Sequence, residues 1–289
     1  MICRLCPRRC GAERTAETGG GFCAMPAGIR VARAALHHWE EPPISGTNGS
    51  GAVFFSGCTL RCCYCQNRDI SAGGFGRDIT PQRLRAIFEE LIAQGAHNID
   101  LITATHFLPW LLPALTPKLP VPLVYNCGGY ESVETLRQLE GLVDIWLPDL
   151  KYADGPLAAQ LSAAPDYFPA AAAAIREMFR QTGPYVMEDG LLRRGVIIRH
   201  LVLPGSPDNT RRVIDWVAET FRPGDVLFSL MSQYTPQPNA QGRLARHVTR
   251  AEYRAAVDYM HNCGITDGFT QERTAAREEY TPPFDLTGV

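Results

Sequence analysis

From residue 51 onward, short apolar runs alternate with stretches in which apolar side chains recur every three or four positions, a pattern that predicts strands and helices in turn. Residues 52–55, Ala-Val-Phe-Phe, read as a strand buried on both faces. After the loop that follows, Thr80 and Pro81 supply a helix cap and first turn. Leu84, Ile87, Phe88, Leu91 and Ile92 form one stripe, and Gly95 ends the helix. The unit then repeats. A strand at 99–102 precedes a helix at 108–115, a strand at 121–125 precedes a helix carrying Val133, Leu136 and Leu139, and a strand at 143–147 precedes one or two helices within 154–181. A hairpin at 184–193, a strand at 196–203, a helix at 209–221 and a strand at 226–231 come next. The last helix runs from Thr249, where Glu252 completes a capping box, to Cys263-Gly264. Six strand-helix units predict an α/β fold with a parallel sheet and right-handed crossovers: a partial TIM-type (βα)6 barrel over residues 51–270. Before it, residues 1–50 read as a small Cys-rich metal-binding module and an irregular connector, and residues 271–289 as a polar C-terminal tail.

Composition narrows the function classes. The 289 residues can bury a sizeable core plus a small attachment, and 45% hydrophobic with 20% charged residues is ordinary for a globular chain. A net charge of -2 gives no basic field to hold a phosphate backbone, so nucleic acid is not the favoured partner. No run approaches the ~18 apolar residues of a membrane span, and Met1-Ile2-Cys3-Arg4 lacks the apolar core of a signal peptide, which leads to the expectation of a cytoplasmic protein with no membrane partner. Of ten cysteines, seven lie in two tight clusters, a distribution that suits metal thiolates better than disulfides.

The second cluster is Gly57-Cys58-Thr59-Leu60-Arg61-Cys62-Cys63-Tyr64-Cys65-Gln66-Asn67. Cys58, Cys62 and Cys65 have the spacing C-x3-C-x2-C, so a loop that curls back can aim three thiolates at three corners of a 4Fe-4S cube and leave one iron for a chelating small molecule. A zinc knuckle or unrelated thiols are the plainer alternatives. The first cluster, Cys3, Cys6 and Cys10, joined after a glycine-rich run by Cys23, would close a tetrahedral zinc site or fully ligate an additional iron-sulfur cluster, leaving no position for substrate; a metal-free disulfide pair is the third option. His37 and His38, in the connector, read as packed or solvated side chains rather than ligands.

With aromatic Tyr64 just before its last cysteine, the loop resembles the radical S-adenosylmethionine signature. Phe55-Ser56-Gly57-Cys58, Tyr64-Cys65-Gln66-Asn67-Arg68-Asp69 and Asp149-Leu150-Lys151 are similar to the corresponding segments of pyruvate formate-lyase activating enzymes, and the likeness spans residues 50–270, nearest to an activating-enzyme-like subgroup of unsettled substrate. The resemblance implies a radical S-adenosylmethionine oxidoreductase. A 4Fe-4S cluster, reduced by flavodoxin or ferredoxin, would cleave S-adenosylmethionine to methionine and a 5'-deoxyadenosyl radical, which abstracts hydrogen from a glycine of a glycyl-radical enzyme. Modification of a peptide, tRNA or small metabolite is the first alternative. A non-catalytic iron-sulfur carrier or sensor is the second, and it needs a fourth ligand for which only the adjacent Cys63 is at hand.

Chemistry in parallel α/β folds sits at the carboxyl ends of strands, which singles out further residues. Asp149 and Lys151 share one side of a strand end, and the resemblance assigns them to S-adenosylmethionine together with Arg199, an arginine inside an apolar run that needs an anion. Tyr64, Asn67, Thr103, Thr105, Asn126 and Gln233 complete the expected cofactor contacts, and Cys127 is a candidate radical relay or ligand, against the alternative of a small buried hydrophobe. Two departures from the family pattern stand out. Thr103-Ala104-Thr105-His106 occupies the place of a glycine-rich acidic motif, and Thr235 stands where activating enzymes usually have a histidine.

Overall fold

Six parallel strands carry the chain from residue 50 to residue 231 in the computed structural model, which describes residues 1–271 and 282–289. In chain order the elements are β1 (Ile29–His37), α1 (Pro42–Ser45), β2 (Ser50–Phe55), α2 (Arg68–Ser71), β3 (Arg77–Ile79), α3 (Pro81–Ala93), β4 (Ile99–Ile102), α4 (Leu108–Leu111) and β5 (Leu123–Cys127). There follow α5 (Val133–Arg137), β6 (Ile145–Pro148), α6 (Gly155–Ser162), α7 (Tyr167–Thr182), β7 (Val186–Glu188), β8 (Leu191–Leu201), α8 (Pro207–Thr220), β9 (Leu227–Met231), α9 (Arg250–Asn262) and β10 (Gly268–Thr270). The caps are those expected: the Thr80 side chain accepts from the Arg83 N–H to start α3, and Thr249 with Glu252 closes a reciprocal box at α9.

The sheet runs β10-β9-β8-β6-β5-β4-β2-β1-β3, with β7 folded onto β8 as a hairpin. Because the path has two ends, the barrel is open. Its parallel strands are β2, β4, β5, β6, β8 and β9, extended by β10. The connector expected to be irregular is the main correction: β1 pairs antiparallel with β2 from His37 opposite Ser50 to Val31 opposite Phe55, and β3 adds to its other side. A register shift between Val31 and Arg33 breaks the strand period there, while Arg30 and Arg33 reach out to Asp78 and Asp285, so the run does not alternate cleanly. Of the expected tail, residues 272–281 lie outside the described residues, and its end returns along β1, where the Ala34 N–H donates to the Thr287 carbonyl.

Alternation along the strands builds two layers. Leu101, Tyr125, Trp146, Val196, Ile198, Phe228 and Leu230 face outward into the main core against the helices. Facing inward, Val124, Ile145, Leu147, Ile197 and Leu227 pack with Ile44 of α1, which fills one end of the barrel. Above this apolar floor the inward positions turn polar, with Asp100, Asn126, Arg199 and Ser229 all buried or nearly so. Among the described residues no helix is long and apolar enough to cross a membrane.

Candidate functional site

The chain leaves β2 through Gly57 at φ 79, where a Cβ would collide with the Met25 side chain and approach the Cys23 carbonyl at 3.1 Å, so the turn needs glycine on both counts. In the loop beyond, each of three sulfurs accepts a hydrogen bond. The Leu60 N–H donates to Cys58 Sγ at 3.3 Å, the Ser162 hydroxyl to Cys62 Sγ at 2.9 Å and the Ser71 hydroxyl to Cys65 Sγ at 3.3 Å. Donors aimed at sulfur stabilise the thiolate form and tune any cluster it holds. Burial, together with the charges of Cys62 and Cys65, pushes the Cys58 thiol up to about 12. Burial raises the Cys65 thiol as well, and thiolates at Cys58 and Cys65 need a cation to take up their charge, so the donor set fits an iron-sulfur cluster. Cys63, between two of them, is exposed and its N–H is tied to the Leu161 carbonyl at 2.9 Å.

Tyr64 is buried. Its hydroxyl meets that of Tyr152 at 2.7 Å, and Tyr152 meets the Ser162 hydroxyl at 2.7 Å, so the ring that borders the cavity is anchored to the same serine that serves Cys62. The cavity in front of the loop has Cys62, Cys65 and Asn67 on one wall and Asp149, Lys151, Arg199 and Gln233 on the other. Lys151 Nζ lies 2.6 Å from Asp149 Oδ2, and Arg199 Nε donates to Asp149 Oδ1 at 2.9 Å. Arg199 then reaches inward: Nη2 donates to Asn126 Oδ1 at 2.6 Å and Nη1 to Glu40 Oε2 at 3.1 Å. Burial alone would raise the Asp149 pKa, but the Arg199 and Lys151 charges outweigh it and hold the carboxyl below its usual range. Below Arg199, burial raises the remaining acids: Glu41 to about 7, Glu40 upward against the pull of Arg199, and Asp100 well upward with the help of Glu40. Asp149 is thus an anion between two cations at the cavity wall, while burial shifts the deeper carboxyls toward the protonated form against the pull of Arg199.

Asn67, Asn126, Asp149, Lys151, Arg199 and Gln233 therefore gather at or just beneath one cavity. Thr103 donates its hydroxyl to the Asn126 carbonyl at 3.0 Å. Thr105 and Cys127 do not line this cavity. Both are fully buried on the helix-facing side, Thr105 accepting from the Tyr125 hydroxyl at 2.9 Å, because alternation along β5 turns Tyr125 and Cys127 outward when Asn126 faces in. His106 holds the Ser56 carbonyl at 2.7 Å, and burial lowers its pKa to about 4. His200 packs against α8 through Thr210 at 3.0 Å.

Sequence reasoning passed over Glu40, Glu41, Asp100 and Ser162. Asp100 had a signal, an acid inside the apolar run Ile99-Asp100-Leu101, the counterpart of Arg199 in its own run. It also passed over Glu131, which is buried with no hydrogen bond to either carboxylate oxygen; the Thr105 hydroxyl and Cys127 thiol are its neighbouring donors. Burial raises its pKa from near 4.5 to about 8. In that window the folded protein holds a proton that the unfolded chain has released, so the associated stability is complete below pH 4.5 and is lost as pH rises through about 8. The loss is on the order of 5 kcal/mol at most. Glu131→Gln is expected to flatten this decline: unfolding midpoints of metal-free protein at pH 5 and pH 8.5 should lie closer together in the variant than in the parent.

At the amino end, Cys3, Cys6, Cys10 and Cys23 come within range of one another's charge. Burial first, then Cys3 and Cys10, raise the Cys23 pKa, and burial, with smaller contributions from Glu131, Cys3 and Cys23, raises Cys6 to about 12. Among the described residues no three His, Cys, Asp or Glu side chains are drawn together as they are around a single ion.

A family described as a 4Fe-4S single cluster domain matches residues 45–104, the span that contains Cys58, Cys62 and Cys65. The crystal structure of Streptococcus suis SuiB bound to S-adenosylmethionine superposes with TM-score 0.51 at 15% identity, over 77% of this chain and 50% of SuiB. SuiB bound to its precursor peptide SuiA gives 0.50 at 14%, over 75% and 47%, and HydG, a maturase of the FeFe-hydrogenase, gives 0.50 at 12%, over 80% and 53%. The chain shares their fold. It spans about half the length of these solved proteins. By sequence it is 27% identical over 268 residues to an uncharacterized protein of Methanocaldococcus jannaschii, covering 89% of this chain and 73% of that one.

Proposed function

We propose that the protein is a radical S-adenosylmethionine enzyme. The observation that carries this is the pairing of a three-sulfur loop, every sulfur supplied with its own donor, with a facing wall of two cations around Asp149. When bound, a reduced 4Fe-4S cluster supplies the electron that splits S-adenosylmethionine into methionine and a 5'-deoxyadenosyl radical. Cys58, Cys62 and Cys65 would hold the cluster. Lys151 and Arg199 present N–H groups suited to the cofactor's carboxylate, and Asp149 an acceptor suited to its ammonium or ribose hydroxyls. Tyr64, locked by Tyr152, walls the cavity against water. The N-terminal cysteines would hold zinc or an additional iron-sulfur cluster that supports the loop or relays electrons from flavodoxin or ferredoxin.

The substrate favoured is a polypeptide, a glycine of a glycyl-radical enzyme or a residue of another peptide. A second cavity abuts the first across Tyr64 and Tyr234, and Gln160, Gln237, Asn239 and Gln241 bring primary amides to it. Amides that both donate and accept suit an extended backbone. The fold shared with peptide-bound SuiB supports the same choice. Anaerobic incubation of the reconstituted protein with dithionite and S-adenosylmethionine is expected to release 5'-deoxyadenosine and methionine in equal amounts even without substrate. Their absence from protein carrying a full cluster would favour an electron carrier or sensor instead.

A further inference from the structure

Arg8 stands between Cys6 and Cys10, yet its hydrogen bonds all leave the N-terminal segment. Nε donates to the Thr59 carbonyl of the three-cysteine loop at 2.9 Å, Nη2 donates to the Ser162 carbonyl at 2.7 Å, and Nη1 donates to the Ala163 carbonyl. Ser162 ends α6 and Ala163 is its left-handed cap, at φ 48 and ψ 35, so the guanidinium closes the carboxyl end of that helix. The plane of Arg8 is itself fixed by two rings from different parts of the chain, with the Phe22 centroid at 3.8 Å and that of Tyr130 at 5.2 Å. Ser162 joins the two halves of this arrangement: its carbonyl accepts from Arg8, and its hydroxyl donates to Cys62 Sγ at 2.9 Å. A parallel tie runs the other way, from Arg61 Nη1 in the loop to the Phe22 carbonyl at 3.3 Å.

We propose that Arg8 is a positioning residue that transmits the closure of the four-cysteine segment to Cys62, by holding the end of α6 and the Thr59 carbonyl on one rigid fork. A planar fork spans three carbonyls where an ammonium, a point donor on a flexible stem, does not. The N-terminal segment is then part of the scaffold of the loop and not a separate attachment. The proposal rests on Cys62 being a cluster ligand, but its structural link is testable without any cluster.

The test is alkylation of the metal-free, reduced full-length protein with iodoacetamide, with the rate at each cysteine read by peptide mass spectrometry. Arg8→Ala is expected to speed labelling of Cys62 about tenfold, as the freed helix end opens locally, with Cys65, whose donor Ser71 lies on α2, unchanged. Arg8→Lys should fall between the two. Arg9→Ala, which loses only an exposed contact at 3.8 Å to Glu134, should match the parent. Because Arg8 is proposed to act through Ser162, adding Ser162→Ala to Arg8→Ala should change Cys62 no further. Parent-like Cys62 labelling in Arg8→Ala, additive effects in the double variant, or equal acceleration at Cys65 would each overturn the proposal. If Arg8→Ala does not fold, Arg8→Lys decides by the same comparison. Failure here leaves cofactor cleavage standing, and failure of cleavage leaves this link standing.

Discussion

Serine at Cys58, Cys62 or Cys65, one at a time, is expected to strip the loop of iron and to lower reductive cleavage of S-adenosylmethionine about a thousandfold. The size of the effect follows from how the three sulfurs are set. Each has a donor of its own, from Leu60, Ser162 and Ser71. Cys63, the nearest spare, is exposed and pinned through its backbone to Leu161. Cys63→Ser should therefore keep the iron content of the parent. Serine at the N-terminal cysteines should remove only the second portion of metal, so iron and zinc analysis of the two sets of variants separates the two sites. Loss of the same metal from both sets would mean one shared site.

Arg199→Met is expected to destabilise the protein by about 3–5 kcal/mol, because it withdraws the cation paired with Glu40 and one of the two paired with Asp149, whose other partner is Lys151. Arg199 bridges Asp149 at 2.9 Å and Glu40 at 3.1 Å, and its charge also acts on Glu41 and Asp100. Methionine replaces the volume but not the charge or the five donors. For a chain of this length the fall in unfolding midpoint should be about 10 °C. Glu40→Gln, which keeps an acceptor for Arg199 while removing one of the crowded carboxyls, should cost about 1 kcal/mol or less. Thermal unfolding of metal-free protein checks both. Equal, small effects would mean that the cluster of acids is solvated and that Arg199 is not its counter-charge.

Most of the barrel was legible in the sequence because helices and buried strands announce themselves by period. The six parallel strands, the Thr80 and Thr249 caps and the hairpin into β8 lie where apolar spacing and capping chemistry put them. β1 was not legible, since a bulge and two edge arginines disturb its alternation, and strand pairing with β2 is a long-range fact that no local period encodes. The same division holds at the site. Asp149, Lys151 and Arg199 follow from strand ends and from an arginine that needs an anion. Their continuation through Asn126 to Glu40 depends on α1 entering the barrel floor. Thr105 and Cys127 show the limit of proximity in sequence to a strand end: one residue of alternation separates the cavity from the helix side.

The vacant cluster corner is the central claim, and electron paramagnetic resonance of the reduced, reconstituted protein tests it most directly. Adding S-adenosylmethionine should change the cluster signal in the parent and in Cys63→Ser alike, because the ligand enters the coordination of an iron that no cysteine holds. A signal identical before and after addition, in protein with a complete cluster, would contradict it.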